Sequence, residues 1–200
     1  MRLFDRRSAA IGAYALAALL AGFELIVLWQ ALHPNVSDDY RAYYIDRTTT
    51  CLPQIVTGAY ELGTIIDFRA GGDETRELRP CGWTGPYETG LHSVGQSSRL
   101  RFHIGAPQDL LLTLELTGVT LPGPPQQRVL VSAGDLALGQ WLVTPDRAEN
   151  FTLAIPAAAI DAEGYLDLLL DYPDAISPGR VANTYWRSVK LTAGRLAPQT

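Results

Sequence analysis

From Ala9 to Leu32 the chain carries 24 residues and a single formal charge, Glu24. No other feature constrains the fold as tightly. At ~1.5 Å per residue such a run, folded as a helix, is about 36 Å long, enough to cross a ~30 Å hydrocarbon core with some tilt. Arg2, Arg6 and Arg7 precede it, and Asp38 and Asp39 follow. A cleaved signal peptide shares the basic start, but its apolar region is normally only ~7–15 residues and ends at a small-x-small site. Here the exit is Trp29-Gln30-Ala31-Leu32-His33-Pro34, a poor cleavage site, so an uncleaved anchor is expected. Positive residues stay on the cytoplasmic side, which places residues beyond the anchor in the periplasm of a bacterial inner membrane.

The exported part holds the two cysteines, Cys51 and Cys81. An oxidising compartment favours their pairing, and a disulfide closing a loop of about 30 residues contributes on the order of 3–4 kcal/mol. The connector contains Tyr40, Tyr43 and Tyr44 at helical spacing. These residues suit either docking at the membrane or packing beneath the first strand.

Beyond Cys51, short strand-like stretches follow one another. They are 64–68, 99–104, 111–116, 128–132, 140–143, 150–155, 165–171 and 187–191, separated by Gly, Pro, Asn and Asp turns. Several alternate apolar with polar, as sheets with one wet face do. No long amphipathic helix interrupts them, so a parallel βαβ arrangement is not expected. Eight antiparallel strands predict an all-β, jelly-roll-like antiparallel β-sandwich preceded by one transmembrane α-helix. The expected division is a cytoplasmic N-terminus (1–8), the helix (9–32), a juxtamembrane connector (33–59), the sandwich (60–192) and a loose tail (193–200).

Motifs for chemistry are scarce. His33, His92 and His103 lie in different elements, and no nucleophile elbow, phosphate loop or H-E-x-x-H stretch occurs. No catalytic residue, metal ligand or cofactor is therefore predicted. A net charge of −5 argues against nucleic acid as a partner. Binding has better candidates. The loop-like stretch 81–93 carries Trp83, Tyr87 and Glu88, and aromatic faces beside a carboxylate suit sugar rings. Trp83 also suits a core plug beside the disulfide.

The series Cys81-Gly82-Trp83, Pro86-Tyr87-Glu88-Thr89-Gly90 and Arg99-Leu100-Arg101-Phe102 resembles a jelly-roll module of bacterial envelope proteins. That module occurs at the periplasmic end of membrane phosphoglycerol transferases. Gln127-Arg128-Val129-Leu130-Val131 with Gly134, and Ser177-Pro178, extend the resemblance over residues 60–192. Glu88 follows Tyr87 where the module has the reverse order, and Leu91-His92 stands in place of a tryptophan. The resemblance implies a non-catalytic accessory domain.

On a helical wheel at about 100° per residue, Ala10, Ala13, Ala17, Ala21, Glu24 and Leu28 share one stripe. Small residues let a second helix approach closely in lipid. A charge at the helix centre costs about 2.5–3.5 kcal/mol on insertion scales, so Glu24 wants a hydrogen-bonding neighbour. The expected role is a non-enzymatic accessory subunit docked by this stripe onto integral membrane proteins of a larger complex. The alternative is a membrane-tethered glycan-binding module in envelope polysaccharide assembly.

Overall fold

The computed structural model describes residues 6–33, 51, 54–69, 75–120, 126–176 and 186–199. They belong to two units, Met1–Ser37 and Asp38–Thr200. The Tyr40, Tyr43, Tyr44 and Ser177-Pro178 expectations lie outside the described residues.

In the first unit, α1 runs from Arg6 to Leu32. Its Ala- and Leu-rich sequence favours helix, and it stops just before His33, the residue preceding Pro34, where proline disfavours helical backbone. The His33 N–H and Nδ1 both meet the Trp29 carbonyl oxygen at 3.0 Å, and the two rings stack at 4.0 Å. Ala10–Leu32 is uncovered along its length. A helix this long and apolar can cross a membrane, and an export signal fits the same description.

The second unit is an antiparallel β-sandwich, with ten strands among the described residues. They are β1 (Ile65–Asp67), β2 (Trp83–Tyr87), β3 (Gly90–Ser93), β4 (Ser97–His103), β5 (Leu110–Gly118), β6 (Gln127–Ala133), β7 (Leu136–Val143), β8 (Glu149–Ile155), β9 (Tyr165–Asp171) and β10 (Val189–Pro198). The larger sheet has the order β2-β3-β10-β5-β8, with β1 also pairing β10; the smaller has the order β4-β9-β6-β7. From β4 onward the chain passes repeatedly between the sheets, β6 and β7 staying together, which is jelly-roll connectivity. The predicted fold class is thus the observed one.

Period-two patterning explains the layers. Leu110, Leu112, Leu114 and Leu116 of β5 turn inward and are fully buried, while Leu111, Thr113, Glu115 and Thr117 turn outward. From the opposite sheet Leu166, Leu168 and Leu170 of β9 complete the core with Leu100, Phe102 and Val129. Phe68, just past β1, is also fully buried. A Cβ on Gly194 would lie 3.1 Å from Leu114 Cδ2 and 3.2 Å from the Phe68 ring, a tight fit that needs one of these side chains to give.

The structure corrects the expected strand boundaries in two places. Residues 81–93 are not a loop: they hold the β2–β3 hairpin, which Gly85 and Pro86 disguise by interrupting the alternation. Nor are residues 193–198 a tail. They complete β10, pairing with β5 along its whole length and with β1 at Ala193, Gly194 and Arg195. Cys51 and Cys81 are joined as a disulfide with Cα atoms 5.5 Å apart, and both are buried. Residues 54–59 of the expected connector lie against the sandwich: Gly58 donates to the Glu77 carbonyl at 2.8 Å, and Ala59 forms a parallel bridge with His103.

Candidate functional site

Because β5 occupies one edge of β10 throughout, β3 and β1 share the other edge, β3 at Lys190–Leu191 and β1 from Ala193. The changeover coincides with a bulge between Leu191 and Ala193. Thr192 anchors it, accepting the Phe68 N–H at 3.0 Å on its carbonyl and donating its hydroxyl to the Glu115 carbonyl at 3.1 Å. An extra residue in a strand re-aims the side chains beside it. Ala193 therefore lies in line with Glu115 on β5 and Asp67 on β1, while Arg195 lies in line with Thr113 and Ile65.

These outward residues enclose a groove of about 340 Å³, lined by Ile65, Thr113, Glu115, Asn150, Ala193, Gly194 and Arg195. Small residues on β10 keep its floor low. Asn150 stands opposite Glu115 across the β5–β8 ladder. Arg195 is held by its Nε, which donates to the Gly63 carbonyl at 3.0 Å. Ile65, 76% exposed, supplies an apolar wall. Carboxylate, amide, hydroxyl and guanidinium groups thus face one small space, a mixture of donors and acceptors suited to a ligand rich in hydroxyls.

Further along the same face lies a second polar row. Thr84 on β2 pairs in register with His92 on β3, His92 with Lys190 on β10, and Lys190 with Thr117 on β5. Arg187 borders it, its Nη1 donating to Thr84 Oγ1 at 3.3 Å and to the Ser93 carbonyl at 3.0 Å. The His92 imidazole titrates below its ordinary value, first because burial disfavours its charged form and then because Arg187 and Lys190 are positive. The Tyr87 ring meets that of His92 edge-on, centroids 6.0 Å apart.

The three proposed ligand-binding residues separate. Trp83 is 7% exposed and belongs to the core, its indole N–H donating to the Arg99 carbonyl at 2.8 Å. It has no free face for stacking a sugar, which corrects that assignment and agrees with the core-plug alternative. A register shift between Thr84 and Tyr87 breaks the phase of β2, so Tyr87 points outward and is 51% exposed. Glu88 is exposed in the hairpin turn. On α1, Ala10, Ala13, Ala17, Ala21, Glu24 and Leu28 are all exposed. The sequence reading missed the groove and the row; the threonines and Glu115 at alternate positions of β5 were the available signal.

A second cleft, of about 460 Å³, includes Asp135, Asp161, Tyr165 and Asp167 in its lining. Its polar groups are largely engaged with the protein. Asp161 Oδ1 accepts the Tyr165 N–H at 2.7 Å, and the Arg101 guanidinium lies 4.2 Å from the Tyr165 ring centre with its Nε 3.7 Å from Asp167. Among the described residues no group of three or more His, Cys, Asp or Glu is placed to hold a metal ion.

No family model matches the chain, and no curated protein matches it. Nothing beyond the jelly roll itself ties it to membrane phosphoglycerol transferases. Solved structures with a similar arrangement include the CBM22-1 xylan-binding domain from Paenibacillus barcinonensis, 14% identical with a TM-score of 0.41, over 70% of this chain and 99% of that one. The C-terminal CBM6 of a marine laminarinase from Zobellia galactanivorans is 13% identical with a TM-score of 0.38, over 67% of this chain and 99% of the other. A glycoside hydrolase family 43 arabinoxylan arabinofuranohydrolase from Bacillus subtilis is 11% identical with a TM-score of 0.40 over 74% of this chain, which spans only 29% of that enzyme.

Proposed function

We propose that the chain is a membrane-tethered, non-enzymatic module of the bacterial cell envelope whose larger sheet binds a glycan on its outer face. In this reading α1 is an anchor with a cytoplasmic N-terminus, and the sandwich stands in the periplasm. The observation that supports glycan binding is the groove over Ala193, where Glu115, Asn150, Thr113 and Arg195 converge beside Ile65. Sugar hydroxyls both donate and accept, so such a mixed set satisfies them without a net charge requirement. The test is binding of the detergent-solubilised full chain to a panel of envelope and plant-type oligosaccharides, repeated with Ala193→Trp, which fills the groove. At least one oligosaccharide is expected to bind and to lose its affinity in the variant. A panel without binding, or binding indifferent to Ala193→Trp, removes the proposal.

One observation favours a second role, that of accessory subunit in an inner-membrane complex. Glu24 lies within the apolar stretch of α1, where a carboxylate is costly without a partner. An integral membrane protein offering a hydrogen-bond donor to the Ala10, Ala13, Ala17, Ala21, Glu24 and Leu28 stripe would relieve that cost. Glu24→Leu is then expected to abolish co-purification of membrane partners; retention of the same partners counts against docking through this stripe.

A further inference from the structure

We infer that the ligand of the larger sheet's outer face is acidic, with Lys190, His92, Thr84 and Arg187 forming an anion subsite continuous with the groove. The inference rests on glycan binding at that groove and adds the chemical class of the saccharide. Lys190 and Ala193 are three residues apart on one strand, about 10 Å at ~3.3 Å per residue, so an oligosaccharide lying along β10 meets both regions.

Several arginines of the sandwich are ion-paired. Arg69, Arg101, Arg128 and Arg147 each lie within ion-pair distance of a carboxylate, at 3.0, 3.7, 2.7 and 2.7 Å. Among the described residues, Lys190 forms no such pair, and neither do Arg76, Arg99 and Arg195; what distinguishes Lys190 is its place in a row of groups that can hold an anion. Its in-register neighbours are the His92 imidazole and the Thr117 hydroxyl, both capable of hydrogen bonding to an anion. The two charges that depress the His92 titration, Arg187 and Lys190, are both positive. A carboxylate or phosphate held at this half-buried row would feel the attraction of both Lys190 and Arg187, the two positive charges that act on His92. Arg187, held by Thr84 and the Ser93 carbonyl, brings a second fixed positive charge to the edge of the row.

The experiment titrates the detergent-solubilised full chain with oligomers of galacturonate, glucuronate and mannuronate, each beside its neutral methyl ester. Lys190→Gln is expected to weaken an acidic oligomer about tenfold or more, the usual scale for losing a charge-assisted hydrogen bond. Binding of the esters should weaken far less than binding of the acids, the melting temperature should stay within about 2 °C of the parent, and Lys190→Arg should restore acid binding. If acidic and esterified oligomers bind alike and Lys190→Gln changes neither, the acidic-ligand inference is overturned while glycan binding stands. If neither set binds, both fall. Lys190-dependent capture of phosphatidylglycerol vesicles without any saccharide binding would likewise overturn both, in favour of a lipid-headgroup surface.

Discussion

Trp83→Ala separates a core residue from a ligand platform. The side chain is 7% exposed, lies within the contiguous core and spends its one donor on the Arg99 carbonyl at 2.8 Å. Truncating a buried tryptophan costs about 3–5 kcal/mol in lost transfer energy and cavity. The bereft carbonyl belongs to β4 at the bridge with Cys81, and losing its indole partner adds about 1 kcal/mol. Together these make about 4–6 kcal/mol, which for a chain of this size lowers the melting temperature by about 8–24 °C. Thermal melts of the detergent-solubilised chain, followed by the β-sheet circular dichroism signal, measure the change. Trp83→Phe should recover most of the volume term but not the hydrogen bond. Tyr87→Ala, by contrast, removes a ring already 51% exposed and should stay within about 0.5 kcal/mol of the parent. A Trp83→Ala chain that melts within about 2 °C of the parent would refute the burial argument and return Trp83 to the surface.

Three other outcomes are expected. Reducing the Cys51–Cys81 bond, which closes a loop of sequence separation 30, should cost about 3–4 kcal/mol, read as a lower urea midpoint with reductant; no shift means the pair is not made. Gly82 adopts φ 81°, and a Cβ there would collide with the Ser97 carbonyl oxygen and Ser98 Cα, both backbone atoms unable to rotate away. Gly82→Ala should therefore lose about 1–3 kcal/mol from strain alone in the same melts, and a neutral result would contradict the turn geometry. His92 titrates below its ordinary value of about 6.5 in the folded chain, so the folded state binds fewer protons than the unfolded one. Stability is then lost as pH falls through about 6.5 and levels off below the folded value. His92→Gln should flatten the melting temperature across that window, and an unchanged slope would show that burial does not act on this ring. Asp67 and Asp174, held below the usual carboxylate range by Arg69 and Arg128, add their own losses only at about pH 4 and lower.

Where patterning was regular, the fold was legible before the structure. Leu111-Leu112-Thr113-Leu114-Glu115-Leu116 and Tyr165-Leu166-Asp167-Leu168 announce strands with one dry and one wet face, and both form long ladders. The candidate site was far less legible, because two of the segments that build it break the pattern. The β2–β3 hairpin supplies Thr84 and His92, yet Gly85 and Pro86 interrupt it and its register shifts after Thr84. The end of β10 supplies Ala193 and Arg195, yet a bulge shifts its phase and Gly194, packed closely against Leu114 and Phe68, offers no side chain to read. Alternation records what the core demands of a strand, so it fades where a strand bends to re-aim residues toward solvent. Bulges concentrate at such places. The same logic explains why Trp83 misled: an aromatic in a Gly- and Pro-rich stretch looks like a loop platform, but its position before the shift turns it inward, and only Tyr87 beyond it reaches the surface. The residues that sequence patterning describes least well are here those that give the outer sheet face its groove and its cationic row.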